Sequence, residues 1–442
     1  MMDTTATTDS HTPHTPAAPA TVDTAAPRPA RNGSPLEVLL VALRLGLTSF
    51  GGPIAHLGYF RSEYVTRRRW LDDGTYADIV AMCQFLPGPA SSQVGIAIGM
   101  LRAGYRGALA AWLGFTLPSA LLLLAFAYGV GRFDVLGAGW LHGLKIVAVA
   151  VVAQAVWSMA QTLTPDRQRI TLALVTAVVL LLWTTPVSQL LVLAVAGVIG
   201  WRWLPAPSPV ATPAPAVATS AAAVSTASAL PPAPTHMVGR RAALVFLPAL
   251  PVLLLGLPLL AGLNDSLALD LADGFSRAGS LVFGGGHVVL PMLQTEVVPP
   301  GWLTNDEFIA GYGAAQAVPG PLFTLSAYLG AMTWGGDQAW IGGSIALLAI
   351  FLPSLLLVLG ALRYWDALRQ RVWMQAALRG VQASVVGLLL AALYDPVWTS
   401  AIHAPEDFAL GLGAFGLLAV WRWAPWSVVA LAALGGELLA RV

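Results

Sequence analysis

One stretch of the sequence occurs twice, about 230 residues apart. The first copy, at 44–89, begins with an arginine, continues through Phe-Gly-Gly-Pro and Trp-Leu, and ends in Gln-Phe-Leu-Pro-Gly-Pro. The second copy, at 277–321, keeps this order, and the tryptophan precedes the glutamine by 14 residues in both copies. Two unrelated apolar stretches would not share such spacing, so we predict that the chain is a tandem duplication.

Both copies lie among long apolar segments. Of the 442 residues, 57% are hydrophobic and only 10% are charged, whereas roughly a quarter are charged in soluble domains. In lipid, apolar runs of this length satisfy their backbone groups only as helices. We therefore predict an all-α polytopic membrane protein. The net charge of +1 indicates no nucleic-acid partner, and no metal cluster, phosphate-binding loop or nucleophile with a nearby base predicts a cofactor or an enzyme.

The apolar segments divide the chain into five predicted regions. Residues 1–34 and 204–239, rich in Ala, Pro, Ser and Thr, are predicted to be a disordered tail and a disordered linker. Six apolar segments form the first repeat, at 35–203, and six matching segments form the second, at 265–442. The segment at 240–264 has no counterpart and is predicted to be an extra transmembrane helix. Its presence would turn the second repeat upside down.

The charged residues support this inversion. The loop after the first apolar segment contains Arg61 and the arginines at 67–69, while the matching loop contains Glu296 and Asp306 and no lysine or arginine. Because basic loops stay on the cytoplasmic side, the two loops are predicted to lie on opposite faces. Inverted-topology repeats are an architecture of secondary transporters.

The first two segments of each repeat have a further charge pattern. In the first half the tail and the loops at 61–72 and 102–106 are all basic, and the three matching loops of the second half are acidic. We favour re-entrant helical hairpins, which leave nine crossings; broken full spans, with 13 crossings, are the alternative. The hairpins would turn at 50–53, 87–89, 283–286 and 319–321.

Glycine and proline within an apolar segment break a helix and release backbone groups, which lipid tolerates only where protein or a cavity covers them. Each resumed helix then points its N-terminus inward, which favours an anion. Arg44 and Arg277 lie six residues before their breaks, where an arginine costs at least about 2.5 kcal/mol on insertion scales. Each needs a partner, which is either a carboxylate, such as Glu37, Asp270 or Asp273, or a bound oxyanion.

The functional hypothesis is that both copies together bind a tetrahedral oxyanion. Gln84 and Gln316 either orient its oxygens or cap their helices, the hydroxyl groups either line the site or bond back to their helix, and Lys145 either joins the site or snorkels. Glu63 and Glu296, at matching positions, are candidates for proton coupling, with solvated loop carboxylates as the alternative. The predicted substrate-binding residues are Arg44, Gly51, Gly52, Gln84, Gly88, Ser91, Ser92, Lys145, Arg277, Gly284, Gly285, Gln316, Gly320 and Thr324.

At these motifs the sequence resembles the chromate ion transporter family, in the form with two fused homologous domains. The resemblance covers about 35–200 and 268–440 and rests on the two glycine breaks and the two Pro-Gly-Pro turns. It implies export of chromate across the bacterial inner membrane, with chromate resistance as the result and sulfate as the structural analogue. An importer of sulfate or another oxyanion and a passive anion channel are the alternatives. A homodimer is one of the assemblies that the sequence allows.

Overall fold

The structure is a computed structural model that describes residues 33–133, 137–183, 185–204, 240–283, 285–365 and 371–441. Within these ranges every regular element is a helix, which confirms the predicted all-α class. Nearly all of the predicted tail at 1–34 and of the predicted linker at 204–239 lies outside the described residues, as does Gly284.

The helices follow the order of the two repeats, with one additional helix, α8 (Arg240–Leu263), between them. The first repeat contains α1 (Pro35–Thr48), α2 (Gly52–Phe60), α3 (Asp73–Phe85), α4 (Ala90–Arg132), α5 (Gly139–Leu163), α6 (Arg167–Leu182) and α7 (Pro186–Trp203). The second contains α9 (Leu267–Leu281), α10 (Val289–Val297), α11 (Asn305–Ala317), α12 (Leu325–Trp334), α13 (Ala339–Ala361), α14 (Val372–Ala392), α15 (Pro405–Ala419) and α16 (Pro425–Leu439).

Polar caps begin the two helices that lead into the Pro-Gly-Pro turns. The Asp72 carboxylate accepts a hydrogen bond from the backbone N–H of Thr75 at 2.8 Å and starts α3. Thr304 and Glu307 form a reciprocal capping box that starts α11. Such caps satisfy backbone donors that the first turn of a helix leaves free. In both repeats, therefore, a side-chain cap at the N-terminus fixes where the helix begins.

Five helices within the described ranges are long and apolar enough to cross a membrane, which agrees with a multi-pass membrane protein. They are α4, α5, α8, α13 and α14, and α7 and α16 are shorter apolar helices. Helix α4 is interrupted at Ala103 and Gly104, whose backbone is not helical. Its two parts correspond to α12 and α13, which are separate helices in the second repeat.

In the first repeat, ion pairs join the start of α1 to the loop after α2 and to the middle of α4. Arg68, beyond the end of α2, lies 3.8 Å from Glu37 in the first turn of α1. Arg102, beside the interruption of α4, lies 3.2 Å from the other oxygen of Glu37 and 5.0 Å from the ring of Trp70. The start of α1, the loop after α2 and the middle of α4 therefore form one cluster.

Small residues hold the two repeats together at equivalent places. Gly143 of α5 packs directly on the backbone of Ala432 in α16, and Gly380 of α14 packs directly on the backbone of Ala196 in α7. Gly143 and Gly380 occupy matching positions in the duplicated sequence. Helix backbones approach this closely only where side chains are absent or small. Each repeat therefore completes the packing of the other.

Candidate functional site

The four helix breaks meet in one place and are joined across the repeats. The Gly88 N–H donates to the carbonyl of Val282 at 2.7 Å, and the Gly320 N–H donates to the carbonyl of Ser49 at 2.9 Å. Ser49 and Val282 are equivalent residues, as are Gly88 and Gly320, so the two bonds are related by the duplication. We call this region the crossing and define it by the described residues of 49–53, 87–93, 282–287 and 319–326.

The Pro-Gly-Pro turns fit into the crossing only because their central residues are glycines. Gly88 has a φ of +121° and Gly320 a φ of +100°, values that residues with a side chain adopt at a cost. A side chain at Gly88 would also collide with the hydroxyl of Ser354 and the amide of Gln93, and one at Gly320 would meet the Ser119 hydroxyl at 2.9 Å. Each turn therefore packs on a serine of the opposite repeat.

Four helices begin at the crossing. Helices α2 and α4 start directly after their breaks, and α10 and α12 start after short helical turns at Gly286–Val288 and Leu322–Thr324. A Cβ on Gly286 would lie 3.2 Å from Pro53 and 3.7 Å from Leu322, so three of these starts are in contact. Helices α1, α3, α9 and α11 end at the same breaks, and their C-termini offset the partial positive charges of the four N-termini. The four helix starts contribute backbone N–H groups to the crossing, and these groups can donate to an anion.

Several buried side-chain polar atoms at and beside the crossing have no hydrogen-bond partner among the described residues. Burying such an atom costs about 1–3 kcal/mol, so each one needs an explanation. The group includes hydroxyl, amide and imidazole atoms from both repeats: Ser49 Oγ, His56 Nε2, Ser92 Oγ, Gln93 Oε1, Gln316 Nε2, Ser326 Oγ and Ser354 Oγ.

Most of the predicted substrate-binding residues lie in this region. The Ser91 hydroxyl is 3.3 Å from His56 Nδ1, and a Cβ on Gly52 would lie 3.9 Å from His287 Nε2. The Thr324 hydroxyl donates to the carbonyl of Pro321 at 2.7 Å. It therefore bonds back to its own helix, which was the alternative to lining the site. The predicted residues at or beside the crossing are Gly51, Gly52, Gly88, Ser91, Ser92, Gly285, Gln316, Gly320 and Thr324.

The equivalent glutamines are placed differently. Gln316 has a buried amide nitrogen beside its turn, whereas Gln84 is exposed on α3. Gln93 instead donates to the carbonyl of Pro87 at 2.6 Å within the first turn. A search for repeated residues misses Gln93, because leucine stands at the matching position, 325.

The two predicted arginines are paired with the two predicted proton-coupling glutamates. Arg277 forms a bidentate pair with Glu296, with both distances 2.8 Å, and lies 3.0 Å from Asp273. Arg44 lies 4.0 Å from Glu63, and its side chain is 57% exposed against 33% for Arg277. Equivalent residues therefore form a short, more shielded ion pair in the second repeat, which we call the closed pair. In the first repeat they form a longer, more exposed ion pair, which we call the open pair.

Two further arginines surround the carboxylate of the open pair. Arg68 donates to Glu63 at 2.7 Å and Arg67 donates to it at 3.2 Å. The Glu63 side chain is only 9% exposed. Of the carboxylate partners considered from the sequence, Asp273 contacts its arginine, while Glu37 contacts Arg68 and Arg102.

Lys145 lies away from the crossing. Its ammonium group donates to Asp306 at the start of α11, at 3.1 Å. In a second pair across the repeats, Arg132 lies 3.1 Å from Asp337. Basic residues of the first repeat therefore meet acidic residues of the second repeat. Among the described residues, no group of three His, Cys, Asp or Glu side chains is placed to hold a metal ion.

Comparison with known proteins agrees with the duplicated architecture. The family model described as Chromate transporter matches residues 36–201 and 269–437. The chain is 28% identical over 386 residues to the chromate transport protein of Pseudomonas aeruginosa, covering 86% of each chain. It is 25% identical over 379 residues to the chromate transport protein of Cupriavidus metallidurans, covering 84% of each chain.

A shorter relative matches only part of the chain. The uncharacterized transporter YwrA of Bacillus subtilis is 33% identical over 126 residues, which are 28% of this chain and 68% of that protein. No solved structure matches the chain.

Proposed function

Because this chain belongs to the chromate transporter family, we propose that it exports chromate across the bacterial inner membrane as a secondary transporter and thereby confers chromate resistance. The observation that carries the proposal is the crossing, where the breaks of both family-matched halves meet through equivalent hydrogen bonds. A buried, polar place between two repeats, where four helix N-termini present backbone N–H groups, suits a small oxyanion.

Export of a dianion needs no energy source beyond the membrane potential. Moving one charge through 100 mV is worth about 2.3 kcal/mol, so an outward-moving dianion releases about 4.6 kcal/mol when the inside is negative. Import would have to overcome the same amount, which requires at least two accompanying cations. The sign of the potential therefore favours export over import of chromate or sulfate.

In this proposal the repeats lie in opposite orientations, and the first two segments of each repeat re-enter without crossing. The pairing of Glu37 with Arg68 and Arg102 supports a turn back to one face, which the positive-inside rule makes cytoplasmic. The contact of Lys145 with Asp306 supports an acidic opposite face. With α8 between the repeats, the chain would cross the membrane nine times.

Arg44 and Arg277 act in this proposal from either side of the crossing, since they lie five residues before Ser49 and Val282. Each shares its charge with a glutamate. Protonation of Glu63 or Glu296 would remove the negative charge that offsets its arginine, and the arginine would then attract the dianion more strongly. Proton binding would in this way be coupled to binding of the anion.

Uptake of radiolabelled chromate into inverted membrane vesicles tests the function. We expect saturable uptake driven by an inside-positive vesicle potential and competition by sulfate, with weaker uptake in Arg44→Ala and Arg277→Ala at equal protein levels. Flux that rises linearly with concentration and shows no counterflow would favour a channel. Vesicles in which the wild type takes up no chromate would contradict the proposal.

Single cysteines test the inverted arrangement. In a Cys83→Ser background, which removes the buried native thiol, Thr66→Cys and Pro300→Cys place one label site in each matching loop, at exposed positions. We expect a membrane-impermeant maleimide to label the first only from the cytoplasmic face and the second only from the opposite face. Labelling of both from the same face would rule out inversion, and the cysteine-free background reports nonspecific labelling.

A further inference from the structure

We propose that a shell of neutral hydrogen-bonding groups, drawn from both repeats, holds the tetrahedral oxyanion directly. This inference rests on the proposed function and names the residues that contact its substrate. The shell consists of His56 and Ser92 of the first repeat and Ser326 and Ser354 of the second. Ser92 is among the substrate-binding residues predicted from the sequence.

The first observation is the packing around the Gly88 turn. A side chain at Gly88 would collide with both the Ser354 hydroxyl and the Gln93 amide, so these groups flank one glycine. Both residues are fully buried. The Gln93 amide nitrogen at this turn donates to the carbonyl of Pro87, whereas Ser354 Oγ has no partner among the described residues. A residue of the second repeat therefore points an unpaired hydroxyl at the turn that precedes α4.

The second observation connects this group to the other turn. His56 is 1% exposed, and its Nδ1 lies 3.3 Å from the Ser91 hydroxyl, while its Nε2 has no partner among the residues that the structure describes. Its ring packs edge-on against Phe115 with 5.3 Å between centroids. The carbonyl of Phe115 would lie 3.2 Å from a Cβ on Gly320. His56 thus lies between the start of α4 and the Gly320 turn.

The remaining hydroxyl groups are buried at the starts of the resumed helices. Ser92 is in the first turn of α4, and Ser326 is in the first turn of α12. They are 2% and 0% exposed, and neither hydroxyl has a partner among the described residues. A hydroxyl can donate to an anion oxygen, as can an imidazole N–H.

The charge balance favours neutral ligands over guanidinium groups. Arg277 is held by two carboxylates, and Glu63 accepts from two arginines besides its contact with Arg44. At the crossing itself the donors are hydroxyl and imidazole groups and the backbone N–H groups of the four helix starts. Such a shell recognises tetrahedral geometry, so we expect sulfate to bind wherever chromate does.

The decisive variant is Ser354→Ala, because a serine that only supports the fold and a serine that binds the anion predict different results. Removing an unpartnered buried hydroxyl leaves thermal stability without ligand unchanged or raises it. Losing one hydrogen bond to a charged ligand raises the sodium chromate concentration for half-maximal flux, and that for half-maximal thermal protection, by about tenfold or more. Ser344→Ala, an exposed serine of the same helix whose hydroxyl bonds to Trp340, is the matched control and should behave as wild type.

Flux and thermal protection by sodium chromate and sodium sulfate, measured for wild type, Ser354→Ala, Ser92→Ala and Ser344→Ala, separate the two proposals. Weakened protection and flux in the two buried variants alone would support the shell. Wild-type behaviour of both buried variants would overturn the shell and leave chromate export standing. A wild type that neither transports chromate nor is protected by it would overturn both. Equal losses in the control and the buried variants would also overturn the shell.

Discussion

Arg277→Ala is expected to destabilise the protein by about 3 kcal/mol, while the equivalent Arg44→Ala costs less than about 1 kcal/mol. Arg277 is the bidentate partner of Glu296 and also contacts Asp273, whose side chains are 11% and 14% exposed. Its removal leaves two carboxylates buried without a cation. Arg44 is largely exposed and lies 4.0 Å from Glu63, which keeps two closer arginines.

The measurement is the unfolding midpoint of each purified variant in detergent. Arg277→Ala combined with Glu296→Ala should recover part of the loss, because removing both charges of a buried pair costs less than removing one. Equal losses for Arg44→Ala and Arg277→Ala would contradict the difference between the closed and open pairs.

Gly88→Ala is expected to abolish transport and to destabilise the protein by about 2–5 kcal/mol. A φ of +121° at this position disfavours alanine by about 1–2 kcal/mol. The added methyl group would overlap with Ser354 and Gln93, and such overpacking costs about 1–3 kcal/mol. The displaced turn would also stretch the Gly88 hydrogen bond to Val282.

Gly104→Ala is the matched control. Gly104 also has a positive φ, +66°, but nothing lies within 4 Å of the position of an added Cβ. Its φ of +66° and ψ of −155° are values that residues with a side chain adopt at a cost of about 1–3 kcal/mol. Gly104→Ala should therefore lose only this conformational part and keep chromate flux. Flux and the unfolding midpoint together test the prediction, and a Gly88→Ala protein that transports like Gly104→Ala would show that the crossing tolerates a side chain.

Local sequence was sufficient for the helix breaks and for the class of protein. Apolar runs of helical length in a chain with 10% charged residues allow only a helical membrane protein. Glycine and proline restrict the backbone where they stand, so the breaks at Gly51, Gly88 and Gly320 could be predicted, and all three have positive φ values. The family resemblance came from the same motifs and is confirmed by the family match over both halves.

The partners of the side chains were decided by tertiary structure. From the sequence, Glu37 was a candidate partner of Arg44, but the turn after α1 places Glu63 beside Arg44 instead. The repeat pointed to Gln84, yet α3 exposes Gln84 and the crossing buries Gln93.

Ser119 and Ser354 occupy matching positions in the duplicated sequence, and packing places each on the turn of the opposite repeat. Local propensity determines where a helix starts and stops, because the backbone conformation of each residue is set by its own side chain and near neighbours. Which face of that helix meets which partner depends on packing between segments more than 200 residues apart, and no single segment contains that information.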